Sequence, residues 1–277
     1  NAANGKILYY LSENFLYPDG FENLLYVSQI LQGIAIKFGV EHWRRNRGRC
    51  MGALYWQLND NWPVASWASI DYYGRWKALH YMAKNFYAPI AGSLSRTGKM
   101  VEAYLQNETR KDSKCNVVIA LKTMDFTILD QASYTITVPA LTARKVSEKD
   151  FTELVRGRED QVFVEAVFTD ETGRQSVEVE FFEPYKYLKL EKPKITYEVR
   201  EEEDKYLISL TAEKLACFVE LDFAESDAIF SDNYFTLTGE GPRVIELMKA
   251  DIRGEKITSA KELESKLIVR SLRDTYE

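Results

Sequence analysis

The feature of this sequence that most constrains its fold is a tryptophan-rich run over residues 52–67. It reads GALYWQLNDNWPVASW, and all five tryptophans of the chain lie in it or near it. Leu54, Trp56 and Leu58 alternate with more polar positions, which is typical of an extended chain with one apolar face. The alternation therefore predicts a β-strand over residues 51–59.

Turn-forming residues follow this predicted strand. Asn59, Asp60 and Trp62 belong to a stretch whose amides, carboxylate and proline end extended structure. Polar groups beside exposed indoles are typical of carbohydrate pockets, because sugars offer hydroxyls to polar partners and flat C–H faces to aromatic rings. The alternative is a tryptophan-rich corner of the hydrophobic core. The residues alone leave both interpretations open.

Helical periodicity is found on both sides of the predicted strand. Residues 21–47 carry a broad apolar stripe that predicts a long helix, and residues 74–87 predict a second helix that stops near Pro89. The order helix, strand, helix is that of the last unit of a (β/α)8 barrel, where functional groups lie at the carboxyl ends of the strands. Asn59 and Asp60 occupy that end.

The rest of the chain is rich in short segments with strand-like alternation. The predicted strands are residues 100–107, 115–121, 133–138, 161–169, 176–182, 195–199, 205–212, 217–221, 234–237, 243–248 and 267–271. A charged stretch over residues 186–194 predicts a linker between two immunoglobulin-like β-sandwiches. The fold class is therefore mixed α and β, mostly β. The predicted domains are a barrel remnant over residues 1–91 and sandwiches over residues 92–188 and 189–277.

Composition excludes several functions. The net charge of −6 argues against a nucleic-acid binder, which usually carries a basic face. No apolar run approaches the roughly 20 residues that span a bilayer, so no membrane partner is expected. The three cysteines are far apart and the two histidines, His42 and His80, lie on different predicted helices. This pattern predicts free thiols and neither a metal site nor a cofactor.

One long segment resembles a known enzyme family. Residues 50–89 read CMGALYWQLNDNWPVASWASIDYYGRWKALHYMAKNFYAP and closely resemble the end of the catalytic barrel in β-mannosidases of glycoside hydrolase family 2. Residues 21–49 resemble the same family, and the segment SDNYFTL at residues 231–237 does so more loosely. The likeness is strong over about the first 90 residues and diffuse afterwards.

The resemblance implies that the chain is the C-terminal portion of a retaining enzyme whose substrate is a terminal, non-reducing β-D-mannoside. Such enzymes use two carboxylates, and in this family both precede the segment matched here, so no catalytic residue is assigned. In this family the nucleophile lies in a Ser-Glu-Phe-Gly type motif. The sequence Ser-Glu-Asn around Glu13 lacks the aromatic residue and the glycine that follow the glutamate in that motif. Trp56 resembles the strand-eight tryptophan that lines the sugar subsite. Asn59 and Asp60 are weaker candidates, either for hydroxyl contacts or for bracing the pocket, and Trp62 is a candidate for lining the cleft.

Each of the weaker candidates has a structural alternative. For Asp60 it is a bond from the side chain to the turn, and for Trp62 it is packing under the loop. The whole chain also has an alternative, a non-catalytic carbohydrate-binding or structural sandwich protein. If the enzyme interpretation is right, we expect the isolated chain to be inactive. We also expect the apolar remnant around Leu54 and Trp56 to pack against the first sandwich or to form a homodimer.

Overall fold

The chain is organised as two compact units. A computed structural model describes residues 2–239 and 241–277, and over these residues the chain is mostly β, with a few helices. The first unit contains the residues up to Leu16, Ile34–Tyr55 and Ala83–Lys189, and the second contains Tyr17–Gly33, Trp56–Met82 and Leu190–Glu277. No helix in the described part of the chain is both long and apolar enough to cross a membrane.

Three helices precede the β-strands. They are α1 (Ala2–Asn14), α2 (Phe21–Arg45) and α3 (Ala78–Phe86). Both helices predicted around the tryptophan-rich run are confirmed as α2 and α3. The third helix begins later than predicted because Asp71 holds the preceding residues in a turn, where Oδ1 accepts the backbone N–H groups of Tyr73 and Arg75 at 2.9 Å. His42 and His80 lie on α2 and α3, as predicted.

The β-strand predicted over residues 51–59 is wrong, because this segment has no regular secondary structure. Asn59 forms an isolated parallel bridge with Ile70. Backbone pairing begins only at Gln57, whose carbonyl accepts from Ser69 at 3.0 Å, and continues at Leu58, whose carbonyl accepts from Ile70 at 2.8 Å. A strand requires a continuous ladder of such bonds, so the alternation of side chains without the ladder leaves an irregular segment.

The first unit contains a β-sandwich. Its strands and helix are β1 (Ile90–Thr97), β2 (Met100–Asn107), β3 (Ser113–Thr123), β4 (Ile128–Val138), β5 (Thr142–Asp150), α4 (Thr152–Val155), β6 (Val162–Thr169) and β7 (Gln175–Phe181). The antiparallel sheets have the orders β1-β2-β5 and β4-β3-β6-β7. Both sheets contribute to one core, which includes Leu105 of β2, Leu121 of β3 and Val164 of β6. The five strands predicted here are confirmed.

The second unit contains another pair of antiparallel sheets. Its elements are β8 (Thr196–Glu201), β9 (Lys205–Thr211), β10 (Ala216–Phe223), β11 (Ser226–Phe230), β12 (Phe235–Leu237), β13 (Arg243–Gly254), α5 (Ala260–Lys266) and β14 (Leu267–Arg270). The sheet orders are β11-β13-β9-β8 and β12-β10-β14. Two buried tyrosines attach helices to this unit: the hydroxyl of Tyr26 donates to the carbonyl of Phe218, and that of Tyr81 accepts from Phe230 N.

A buried cluster of charges joins α2 to β7 within the first unit. Lys37 forms ion pairs with Glu178 and, at 3.7 Å, with Glu41, and Arg45 lies 3.8 Å from the other oxygen of Glu41. Burial raises the pKa of Glu41 from 4.5 to about 8; Lys37 and Arg45 oppose this rise, and Glu178 and Glu180 add to it. The Glu41 carboxyl therefore holds its proton more tightly in the folded chain than in the unfolded chain.

This shift makes the stability of the first unit depend on pH. The contribution of Glu41 is complete below about pH 4.5 and is lost as the pH rises towards about 8, because the unfolded chain releases the proton first. We expect Glu41→Gln to flatten the decline in the free energy of unfolding between pH 5 and pH 8, measured by urea denaturation. Glu22→Gln, at an exposed position of the same helix, is the control. Parallel profiles for wild type and Glu41→Gln would contradict the prediction.

Candidate functional site

The four predicted site residues lie on one irregular segment of the second unit. Trp56 is 73% exposed and Trp62 is 61% exposed, so both indoles are open to solvent. Asn59 is also exposed, and its amide nitrogen contacts the backbone carbonyl of Asp60 at 3.2 Å. Only Asp60 is buried, with 7% exposure. The segment therefore presents two indoles and one amide outward and turns its carboxylate inward. The peptide bond between Trp56 and Gln57 is cis.

The carboxylate of Asp60 braces the loop from within. The hydroxyl of Ser66 lies 2.7 Å from both carboxylate oxygens and accepts the N–H of Ala68 at 3.0 Å. The ammonium group of Lys77 is 3.7 Å from Oδ2. Because its oxygens are occupied by these partners, the geometry favours the structural role for Asp60 over a direct contact with a sugar hydroxyl.

Further hydrogen bonds hold the base of the same loop. The hydroxyl of Ser69 donates to the carbonyl of Leu58 at 2.9 Å and lies 3.0 Å from Nδ1 of His80. Gln32 of α2 donates to the carbonyl of Trp67 at 2.8 Å. The imidazole of His80 packs edge-on against Trp76, with ring centroids 4.4 Å apart. These bonds limit the freedom of the exposed loop at its base.

Sequence reasoning missed three residues that shape this site, namely Ser66, Lys77 and His80. Each acts through a contact between positions six or more residues apart, and no motif spacing predicts such a contact. Arg75 donates through Nε to Oδ2 of Asp71 at 2.6 Å, and this bond lies within the turn before α3.

We expect the loop to lose stability when the brace is removed. Asp60→Ala leaves the partners of a buried charged group unsatisfied, which costs about 1–3 kcal/mol of the free energy of unfolding. Asn59→Ala, at the exposed neighbouring position, should change it by less than about 0.5 kcal/mol. Thermal unfolding of both variants measures the difference. Equal changes in the free energy of unfolding for the two variants would contradict the bracing role of Asp60.

Two glutamates discussed as possible catalytic or binding groups, Glu13 and Glu108, lie outside the loop. Glu13 lies near the end of α1. Glu108 follows β2 and forms ion pairs with Arg47 and, at 3.8 Å, with Arg44. Among residues 2–239 and 241–277, no three or more histidine, cysteine, aspartate or glutamate side chains are grouped so that they could hold a metal ion.

Two family models match the β-rich part of the chain. The model described as a mannosidase Ig/CBM-like domain matches residues 99–187. A model of the mannosidase Ig-fold domain matches residues 190–275. Both matches agree with the sandwich of the first unit and the paired sheets of the second.

Similar proteins extend the comparison to the helical segments. A β-mannosidase of Bos taurus is 30% identical over 295 residues, which cover 99% of this chain and 33% of that protein. β-Mannosidase B of Thermothelomyces thermophilus is 30% identical over 84% of this chain and 31% of its own length. This chain therefore spans about a third of the length of these curated relatives.

Solved structures show the same fold. The β-D-mannosidase of Dictyoglomus thermophilum superposes with a TM-score of 0.84 at 27% identity, over 96% of this chain and 32% of that one. An exo-chitosanase of Amycolatopsis orientalis superposes with a TM-score of 0.70 over 95% of this chain and 35% of that one. The second pair is only 15% identical, so it supports the fold alone.

Proposed function

Since this chain belongs to the β-mannosidases of glycoside hydrolase family 2, we propose that it forms the C-terminal portion of a retaining enzyme that hydrolyses terminal, non-reducing β-D-mannose residues. The observation that carries the proposal is the similarity to a β-mannosidase over 99% of the chain. The tryptophan-rich segment, residues 50–89, lies inside that matched region and would supply one wall of the sugar pocket.

We propose three domains for the chain. Residues 1–91 form the end of the catalytic (β/α)8 barrel, residues 92–188 form an immunoglobulin-like sandwich, and residues 189–277 form the last sandwich. The family matches at residues 99–187 and 190–275 support the two sandwiches. Helices α2 and α3 on either side of the irregular segment support the barrel end.

The proposed role of the site is to bind the sugar, and the bond-breaking groups lie outside this chain. Trp56, with its exposed indole, would stack on the apolar face of the mannose and exclude water around the oxocarbenium-like transition state. Asn59 and Trp62 are exposed on the same loop and would contact hydroxyls or line the cleft. Asp60 would hold the loop in shape. The two carboxylates required for retention are about 5–5.5 Å apart, and we propose that both precede this chain.

The decisive experiment uses the complete reading frame that encodes this chain. We expect its product to hydrolyse 4-nitrophenyl β-D-mannoside in preference to the β-D-glucoside and the β-D-glucosaminide. The 277-residue chain alone should show no turnover. Trp56→Ala in the complete product should lower kcat/KM by at least tenfold, and Trp56→Phe, which keeps a flat ring, should lower it less.

Other outcomes would reject parts of the proposal. Turnover by the chain alone would show that a catalytic pair lies within it, and Glu13→Gln would test the nearest motif. A complete product that binds mannosides without hydrolysing them would favour the non-catalytic carbohydrate-binding alternative. A preference for glucosaminides would replace the proposed substrate.

We also propose that the isolated chain forms a homodimer through the tryptophan-rich segment. Leu54 is 95% exposed and Trp56 is 73% exposed, and this exposure supports self-association as the way in which these apolar side chains become buried. Burying such a side chain is worth about 1.5–3 kcal/mol. Light scattering should report a dimer that becomes monomeric in Leu54→Ser. A monomeric wild-type chain at high concentration would reject this proposal.

A further inference from the structure

The first unit contains a cavity of about 200 Å³ that includes none of the four predicted site residues. It lies at the end of α2 and is lined by Trp43, Arg44, Arg47, Cys50, Met51, Gly52, Ala53, Tyr87 and Glu108. Sites for drug-sized ligands are usually about 300–1,000 Å³. This cavity is smaller, so it suits a ligand with a single ring.

Two aromatic rings form the apolar part of the cavity. Trp43 is 43% exposed, and its indole lies over Gly39, where an added Cβ would be only 3.6 Å from the ring. Tyr87 stacks against Tyr55 at a centroid distance of 6.3 Å, and its hydroxyl donates to the carbonyl of Ala53 at 3.1 Å. Tyr87 is therefore held in place before a ligand arrives, and Trp43 forms the exposed wall of the cavity.

The charged part of the cavity is positive. Arg44 is buried and donates to the carbonyls of Phe86 and, at 2.8 Å, Ala88. Arg47 donates through Nε to the carbonyl of Leu141 at 2.6 Å and through Nη1 to Glu108. Because Glu108 is the only acidic residue among the lining residues, two guanidinium groups and one carboxylate leave one net positive charge.

One side of the Arg47 guanidinium remains available to a ligand. A guanidinium carries five N–H groups in a planar fork, and the contacts of Arg47 described above use Nε and Nη1. Over residues 2–239 and 241–277, Nη2 makes no described hydrogen bond. A carboxylate is the group that best matches such a fork.

We propose that this cavity is a binding site for a small organic anion that carries a carboxylate on one flat ring. The ring packs against Trp43 and Tyr87, and the carboxylate accepts from Arg47. The ring can be aromatic or a sugar ring, because both have an apolar face that fits an indole. None of the lining residues belongs to the Trp56 loop, and the site does not depend on the glycosidase proposal.

Binding is tested on the 277-residue chain by calorimetry and ligand-observed NMR, with benzoate and D-glucuronate as the two probes. We expect at least one of them to bind, and the two arms tell an aryl acid from a sugar acid. The neutral controls benzamide and methyl glucoside should bind at least tenfold more weakly. Failure of both acids to bind at 10 mM would overturn the proposal.

Three variants locate the bound probe. Trp43→Ala should weaken binding at least fivefold, because it removes the exposed wall. Glu108→Gln should tighten binding about threefold or more, because it removes the competing negative charge, and a misfolded variant would not gain affinity. Phe38→Ala is the matched control, since Phe38 is an exposed aromatic of the same helix outside the cavity lining. Equal affinity in wild type, Trp43→Ala and Glu108→Gln would also overturn the proposal.

The rate at which Cys50 is alkylated measures whether the cavity is occupied by a ligand. Cys50 is half-buried in the lining of the cavity, whereas Cys115 and Cys217 are buried, so iodoacetamide should label Cys50 first. We expect a saturating concentration of the bound acid to slow alkylation of Cys50 at least threefold, measured by peptide mass spectrometry, while benzamide leaves the rate unchanged. An unchanged rate at a concentration that saturates binding would place the acid elsewhere and overturn the proposal.

Discussion

Lys122→Met is expected to remove a large part of the stability of the first unit. Lys122 of β3 and Glu165 of β6 are each only 2% exposed, and Nζ lies 2.5 Å from Oε2 across neighbouring strands. Removing one partner leaves a buried charge without its counterion, which costs about 3–5 kcal/mol. Since domains unfold with only about 5–15 kcal/mol, urea denaturation should show a large fall in the midpoint.

A double variant distinguishes the loss of the Lys122–Glu165 ion pair from a simple loss of packing. Lys122→Met combined with Glu165→Leu replaces both charges by apolar groups, and such replacements are often neutral or stabilising. We expect the double variant to regain most of the lost free energy. Lys145→Met is the surface control, because Lys145 and Glu102 form a far more exposed pair worth about 0–1 kcal/mol. A loss below 1 kcal/mol for Lys122→Met would contradict the prediction.

Gly92→Ala is expected to destabilise the same unit by about 3 kcal/mol. Gly92 lies in β1, and a Cβ at this position would sit 2.1 Å from Cδ2 of Phe168 and 2.4 Å from its Cγ. Phe168 is itself buried in the core, so the ring has little room to move. Overpacking of this kind typically costs about 1–3 kcal/mol, and calorimetry should record a lower Tm.

A double variant at positions 92 and 168 tests whether contact with the Phe168 ring causes the loss of stability in Gly92→Ala. Phe168→Ala removes Cγ, Cδ2 and Cε2, the three ring atoms that the new methyl group would meet, so the double variant should be more stable than the sum of the single losses predicts. Gly52→Ala is the control, because nothing lies within 4 Å of a Cβ there. Strictly additive losses would show that backbone change in β1, rather than the ring, is responsible.

Much of the β structure could be predicted from alternation alone. The strand predicted over residues 100–107 has the same bounds as β2. β1 and β5 were missed because their sequences lack a clear apolar alternation: β5 reads TARKVSEKD and has no buried position. It is a strand because it pairs with β2 along nearly its whole length. Tertiary pairing, rather than propensity, created it.

Residues 51–59 show the reverse of β5, because their side-chain pattern is that of a strand but no strand forms. The apolar alternation at Leu54, Trp56 and Leu58 is a strand pattern, but the backbone hydrogen bonds begin only at Gln57. Side-chain alternation indicates which face would be buried if a neighbouring strand were present. A β-strand, however, forms only when its backbone pairs with that neighbouring strand. Pattern and structure therefore disagree where pairing is missing.

The family of this protein, the tryptophan-rich segment and most of the strands can be predicted from the order of residues, because they depend on local composition and period. The inward direction of Asp60 towards Ser66 and the outward direction of Trp56 follow from the folded arrangement. The same arrangement also brings Arg47, Trp43 and Glu108 to one cavity. Contacts between distant residues depend on how the elements pack, and the order of residues along a single chain does not encode that packing in any short motif.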